Sequence, residues 1–226
     1  METIQAVLFD LDGTLVDTLG DLADATNEAL RRRGFPEYPE EQYRQMVGNG
    51  ARRLIERALG ERCTPELTGQ LLADFVRIYD EGCLRRTAPY PGIPEAVTAL
   101  KERGLRLAVV TNKPEEQAGK IVRHFFGPHV FTCVVGGRPG RAAKPDPAAA
   151  LEVLAALGVP PAAALFVGDS DVDMQTAHNA GMRSAGAVWG FRGEEERRRR
   201  HSPAKTGRNS KLLLIIFPTC LIINNR

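Results

Sequence analysis

The stretch Val7-Leu8-Phe9-Asp10-Leu11-Asp12-Gly13-Thr14-Leu15-Val16-Asp17 constrains this chain more than any other. The apolar run Ala6 to Phe9 reads as a short buried strand, and a Gly-Thr turn ends it. In extended backbone, positions i and i+2 project to the same side, so Asp10 and Asp12 can face one crevice. Open α/β sheets bind ligands at the carboxyl ends of their strands, where these two acids fall. Two acids so close repel each other, and a cation with a taste for oxygen ligands, Mg²⁺, is the natural compensation. An aspartate can also attack a phosphoryl group while a second carboxyl moves the proton. Read on turn chemistry alone, the same Asp-x-Asp-Gly-Thr is equally a solvated turn.

After this strand, residues from about Asp17 to Arg86 carry helical spacing and almost no strand signal. The spacing predicts helices over Asp21–Leu30, Glu40–Met46, Ala51–Leu59 and Pro65–Glu81, punctuated by Gly34, Gly60 and Pro65. A helical block beside a strand-end crevice is expected to act as a lid that excludes water and carries selectivity. Within it, Gly48-Asn49-Gly50-Ala51-Arg52-Arg53 leaves backbone N–H groups free at a helix start, where an anion can bind. Arg52 or Arg53 would add a bidentate grip; the plain alternative is an interhelical turn with solvated arginines.

From Tyr90 onward strand and helix signals alternate, with strands expected at Leu105–Val110, Val130–Val135, Ala164–Val167 and Ser184–Val188. The intervening helices are expected at Glu95–Glu102, Glu115–Phe126, Ala148–Leu157 and Met174–Ala180. Thr111 and Asn112 end the first of these strands and can donate to phosphoryl oxygens, or merely cap a helix before Pro114. Lys113 reads as a surface or second-line cation. Gly136 to Arg141 reads as a flexible basic loop without the GK[ST] of a P-loop. Lys144, in a stiff Lys-Pro-Asp-Pro turn, can project one charge among the carboxylates. Asp169, Asp171 and Asp173 follow the next strand but lack the Gly and Glu of a calcium loop. Asp169 is the better metal ligand; Asp173, about one helical turn on, can bind through water or orient neighbours such as Lys144, and spacing alone does not choose between it and Asp171.

The string F-D-L-D-G-T-L-V-D resembles the signature of the haloacid-dehalogenase superfamily of phosphohydrolases. V-V-T-N-K, K-P-x-P and G-D-x-x-x-D match its further motifs in order, and M-x-x-A-x-N-A-G-M continues the match. The resemblance implies an α/β fold: a Rossmann-like parallel sheet core (residues 1–16 and 87–193) with an inserted helical cap (17–86). It implies Asp10 as nucleophile, Asp12 as general acid/base, and Lys144 as the cation that stabilises Asp10 and the transferring group. Thr111, Asn112 and Lys144 would bind phosphate. Mg²⁺ would be held by Asp10, Asp12 (through its carbonyl) and Asp169, with Asp173 behind them. The dehalogenases themselves lack the second acid, so Asp12 favours phosphate esters. The cap wording G-N-G-A-R-x-L-x-x-R-A-L resembles phosphoglycolate phosphatases, which makes Gly48, Asn49, Gly50 and Arg52 the expected substrate loop and 2-phosphoglycolate the expected substrate. A pyrophosphatase, a nucleotide or sugar phosphatase, or a phosphomutase would share the core; a catalytically impaired binding module is the rival of another class.

Composition narrows the partners. A formal net charge of +2 over 226 residues offers no broad basic field for nucleic acid, so no nucleic-acid partner is expected, and the resemblance implies a small phosphorylated metabolite. Cys63, Cys83, Cys133 and Cys220 form no C-x-x-C pair, and the four histidines show no metal-ligand spacing. No basic segment followed by an apolar run precedes the first strand, so a cytoplasmic monomer or homodimer is expected. Family likeness stops near Glu196. Residues 194–226 then form an atypical tail, with basic Arg197–Arg200 and apolar Leu212 to Ile223. That run is shorter than the about 20 residues of a membrane-spanning helix. It could touch an anionic membrane surface, replace a missing strand, form an aggregation-prone end, or reflect an altered reading frame.

Overall fold

A computed structural model describes residues 3–191 and 213–215 of the chain. Its centre is strand β1 (Ala6–Phe9), with all four residues buried. Strand β4 (Arg106–Pro114) lies on one side of it and β6 (Ala164–Gly168) on the other, both parallel. Strands β5 (Cys133–Gly137), β7 (Arg183–Ala187) and β8 (Leu213–Ile215) complete a parallel sheet of order β5-β4-β1-β6-β7-β8. The chain leaves β1 toward one edge and later returns to build the other. The carboxyl ends of β1, β4 and β6 therefore meet at the point where the strand order reverses, the place where open sheets bind ligands.

The period of two along each strand divides the core. Val7, Phe9, Leu107, Val109, Leu165 and Val167 face one side; Ala6, Leu8, Ala108, Val110, Ala164 and Phe166 face the other. Helices α5 (Ile93–Glu102) and α6 (Glu115–Phe126) cover the first face through Ile93, Val97, Ala118 and Ile121. Helices α7 (Ala148–Leu157) and α8 (Asp171–Asn179) cover the second. With both faces covered, the strands read as unbroken apolar runs, as parallel sheets require.

Between β1 and α5 the chain leaves through a two-stranded antiparallel ribbon, β2 (Val16–Asp17) against β3 (Ala88–Pro89). The segment between these strands is wholly helical: α1 (Leu19–Arg32), α2 (Glu40–Met46), α3 (Ala51–Leu59) and α4 (Pro65–Gly82). Helix α4 starts where its sequence says it should, with Pro65 in the first turn and the Thr64 hydroxyl accepting from Leu67 N at 3.2 Å. Helix α3 buries Leu54, Ile55, Ala58 and Leu59 and leaves Arg52 and Arg53 exposed.

Two readings change. Strand β4 does not stop at Val110 but continues through Thr111-Asn112-Lys113 to Pro114, whose backbone pairs with Gly137. The residue before a proline is driven to extended backbone, so α6 starts only at Glu115 and neither Thr111 nor Asn112 caps it. Gly136 and Gly137 belong to β5 rather than to a loop, Gly137 pairing with Pro114, and a side chain on Gly136 would lie 2.5 Å from Glu115 Cα. Arg141 is held between Glu115 (2.7 Å) and Glu152 (2.9 Å). Strand β8 lies parallel to β7, so this part of the tail extends the sheet. The basic run 197–200 lies outside the described residues, and among those described no helix is long and apolar enough to cross a membrane.

A buried carboxylate closes the helical segment at its base. Asp21 of α1 accepts from Arg86 N (2.9 Å), Thr87 N (2.9 Å) and the Thr87 hydroxyl (2.7 Å). Replacing Asp21 by Ala orphans three donors and should cost about 3 kcal/mol in urea melts, whereas Asp21→Asn, which keeps an acceptor, should cost less. Equal stability of Asp21→Ala and wild type would remove this role.

Candidate active site

Asp10 follows the last residue of β1, and its backbone N–H donates to Val167 O at 2.9 Å, tying it to the neighbouring strand end. Its carboxylate is buried. Lys144, itself buried, places Nζ 2.9 Å from Asp10 Oδ1 and 2.7 Å from Asp173 Oδ1. The Asp10 contact is an ion pair without an aligned hydrogen bond, so Oδ1 keeps its hydrogen-bonding capacity. Burial is the largest influence on Asp10 and lifts its carboxyl from 3.8 to about 6, against the opposing pull of Lys144. For Lys144, burial works against the charge, but Asp10 and Asp173 outweigh it and hold the ammonium above its ordinary value.

Asp173 is fully buried in the first turn of α8. Its Oδ2 accepts from Ser170 N (3.1 Å) and the Ser170 hydroxyl (2.6 Å), leaving Oδ1 to Lys144. A helix start thereby fixes the carboxylate that fixes the lysine. Asn112 secures the same lysine through its backbone: Lys144 N donates to Asn112 Oδ1 (2.8 Å), and Asn112 Nδ2 donates to Lys144 O (3.2 Å). That leaves only the second amide proton of Asn112 for the crevice. The Thr111 hydroxyl oxygen accepts from Lys113 N at 3.2 Å and keeps its own proton to give.

Asp169 stands at the end of β6, where Phe191 N donates to its Oδ2 at 3.0 Å. Gly13 (φ +78°) and Gly190 leave it room: a Cβ on Gly13 would lie 2.4 Å from Asp169 Oδ2, and one on Gly190 2.3 Å from its Cβ. Carboxylate oxygens of Asp10, Asp169 and Asp173 lie within 4.8 Å of one another. Counting Asp12, four carboxylates face two ammonium groups (Lys144 and Lys113), a formal charge of −2 when all are ionised. An all-oxygen donor set, an under-used buried Asp10 oxygen and this excess charge fit a small hard divalent cation.

Lys113 decides between the two sequence readings, as a second-line cation behind Asp12. It is 5% exposed, not a surface cation. Its Nζ donates to Asp12 Oδ1 (3.0 Å) and Oδ2 (3.2 Å) and to the Tyr79 hydroxyl (2.7 Å), and sits 4.5 Å from the centre of the Tyr79 ring. Burial disfavours the ammonium, but Asp12 and Tyr79 more than restore it, so its proton affinity lies above the usual. Thr18 adds a hydroxyl to Asp12 Oδ1 at 2.8 Å. Asp12 is thus gripped by β4, by the start of α1 and, through Lys113, by α4. Tyr79 carried no chemical signal in the sequence beyond its place on a helix.

A crevice between strand ends and helices is lined below by Asp10, Asp12, Thr111 and Lys113 and above by Val47, Leu54, Phe75 and Tyr79. Gly48 and Gly50 line it too, and Gly50 comes so close that a Cβ there would be 3.5 Å from Asn112 O. The other two residues of the expected loop do not join them. Asn49 Oδ1 accepts from the Arg57 guanidinium (2.8 Å), and Arg52 is exposed, outside the crevice lining.

Comparison with known proteins agrees with this arrangement. The haloacid dehalogenase-like hydrolase family matches residues 7–187. The phosphoglycolate phosphatase of Mannheimia succiniciproducens is 40% identical over 190 residues, covering 81% of this chain and 85% of that protein. That of Aquifex aeolicus is 38% identical over 188 residues, 83% of this chain and 86% of its own. A crystal structure described as a predicted phosphoglycolate phosphatase from Haemophilus somnus superposes with a TM-score of 0.77 at 34% identity, over 84% of this chain and 88% of that one. The chain belongs to the haloacid dehalogenase-like hydrolases, as a phosphoric monoester hydrolase of the phosphoglycolate phosphatase kind.

Proposed function

We propose that this chain hydrolyses 2-phosphoglycolate to glycolate and inorganic phosphate, through a phosphorylated Asp10 and with Mg²⁺. One observation carries the reading: a buried Asp10, braced by Lys144 and Asp173 beside Asp169, forms the floor of a crevice whose opposite wall includes Gly48 and Gly50. Residues 17–86 serve as the cap over a core of residues 1–16 and 87–193, and the β2–β3 ribbon joins the two.

In the first step a carboxylate oxygen of Asp10 bonds to phosphorus as the bond to the ester oxygen breaks, and Asp12 gives that oxygen its proton. In the second, a water oxygen bonds to phosphorus, its proton passes to Asp12, and Asp10 is released. Asp10, the Asp12 carbonyl and Asp169 would hold Mg²⁺, which would supply charge neutralisation of the phosphate when bound. Lys144 and the Thr111 hydroxyl hold phosphoryl oxygens, while Asn112 acts chiefly by fixing the backbone of Lys144. Asp173 orients Lys144. On the cap side, substrate contact falls to the backbone at Gly48 and Gly50, with Arg52 outside the crevice.

Purified enzyme assayed for phosphate release should favour 2-phosphoglycolate over pyrophosphate, nucleotide and sugar phosphates. Chelation should abolish turnover and Mg²⁺ restore it. Asp10→Asn should lower kcat by at least about 10³-fold. Near-wild-type turnover of that variant would remove the covalent route, and a clear preference for another ester would remove the substrate.

Ionisation of Asp10 gives a separate expectation. Its carboxyl titrates near 3.8 when solvated and near 6 when folded, because burial penalises the charge. The folded state is therefore favoured by protonation, and that contribution is lost as pH rises through about 6. An asparagine cannot ionise. In chelator, the melting temperature of Asp10→Asn relative to wild type should rise between about pH 4 and 6 and level off above. A difference that is flat across this range would show that Asp10 does not titrate there.

A further inference from the structure

We infer that Gln117 is a specificity residue, whose side-chain amide binds a polar group on the leaving-group side of the substrate. Short phosphate monoesters carrying a carboxylate or hydroxyl would then be selected over those with a hydrocarbon leaving group. The inference rests on the phosphatase reading above and adds to it the chemistry of the substrate's far end.

Gln117 lies in the first turn of α6, just beyond Thr111-Asn112-Lys113-Pro114. It is 5% exposed, and its Oε1 is buried without a hydrogen-bond partner. Burying an unpaired amide oxygen is costly, and an apolar side chain of similar length would avoid the cost. Three buried side-chain polar atoms lack a partner among the described residues: Asp10 Oδ1, Thr14 Oγ1 and Gln117 Oε1. Two of the three, those of Asp10 and Gln117, belong to residues that line the same crevice. One is the proposed attacking group. The other is matched to no atom of the described residues.

Most of the rest of the polar lining is already engaged, the Thr111 hydroxyl proton and one Asn112 amide proton apart. Lys113 and Tyr79 bond to each other, and Lys113 also to Asp12. Asn112 is otherwise spent on Lys144. The neighbouring walls at Leu22, Leu54, Phe75 and Val76 offer hydrocarbon. A ligand with phosphorus at Asp10 would find in Gln117, on α6, an unspent polar group in a crevice whose cap wall is mostly apolar. A primary amide carries both a donor and an acceptor, so its NH₂ can meet a carboxylate and its oxygen a hydroxyl.

The test compares kcat/KM of wild type, Gln117→Met and Gln117→Glu on three esters: 2-phosphoglycolate (carboxylate), glycerol 3-phosphate (hydroxyls) and phenyl phosphate (neither). The quantity read is the ratio of each polar ester to phenyl phosphate. In Gln117→Met the ratio for the ester that the amide recognises should fall about tenfold or more, mainly through KM, with no loss of melting temperature. Gln117→Glu should fall at least as far on 2-phosphoglycolate, by charge repulsion, and less on glycerol 3-phosphate. Ratios within twofold of wild type for both polar esters in both variants would overturn the inference and leave Gln117 a packing residue. Wild type that hydrolyses glycerol 3-phosphate but not 2-phosphoglycolate would sink the proposed substrate, while the glycerol phosphate ratio still decided the role of Gln117. Phosphate release from none of the three would sink both.

Discussion

The Lys144 ammonium, wedged between the buried carboxylates of Asp10 and Asp173, is the contact on which the rest of the site depends. Two carboxylates brought this close in a dry interior would otherwise protonate or part. A single buried cation lets both be charged, yet it does not neutralise Asp10 fully, since burial still raises that carboxyl to about 6. The remaining imbalance is useful. A carboxylate perfectly satisfied by the protein would be a poor nucleophile and a poor ligand, whereas Asp10 keeps an oxygen that nothing among the described residues hydrogen-bonds squarely. Breaking the trio by removing the lysine would leave two uncompensated acids, a far larger insult than loss of one surface pair.

The backbone around this trio is arranged to hold it still. Lys144 is clamped by Asn112, Asp173 by the Ser170 cap of α8, and Asp169 by the close approach of Gly13 and Gly190. Each clamp belongs to the end of a different strand or the start of the helix that follows it. The site is therefore a property of the sheet's switch point rather than of any one loop. Asp12 is different. Its partners are Thr18 and Lys113, and Lys113 reaches Tyr79 on α4, so the proposed proton carrier is the acid most directly wired to the helical segment. A change in how α4 sits on the sheet would be felt at Asp12 before it was felt at Asp10.

Much of the chain could be read without coordinates because its helices carry their own punctuation. The bounds Glu40–Met46, Ala51–Leu59, Glu115–Phe126 and Ala148–Leu157 coincide with the sequence reading, each set by a proline, a glycine or a sharp change of polarity. Asp10 and Asp169 at strand ends converge with Lys144 from its proline turn and Asp173 from the first turn of α8. What escaped was non-local. Nothing in Thr-Asn-Lys-Pro says that Lys113 is buried, because its burial comes from α4, more than thirty residues earlier in the chain. Arg52 and Asn49 misled for the complementary reason: helix periodicity turns Arg52 to the outer face, and Arg57 claims the Asn49 amide.

The division between lower and upper walls also explains why the core chemistry is easier to recognise than the substrate. Below, every polar side chain has a charged or backbone partner within about 3.2 Å, and so few arrangements are possible. Above, Leu22, Val47, Leu54, Phe75 and Val76 supply shape without chemistry, and any of them could be exchanged for another apolar residue at modest cost. Selectivity in such a wall must come either from volume or from the few polar atoms left unspent. Volume discriminates weakly between small esters, by little more than the worth of a methylene, whereas an unpaired buried amide punishes a ligand that cannot meet it. On that ground Gln117, on α6, outweighs the whole apolar roof as a source of discrimination, even though it contributes only one side chain to the crevice.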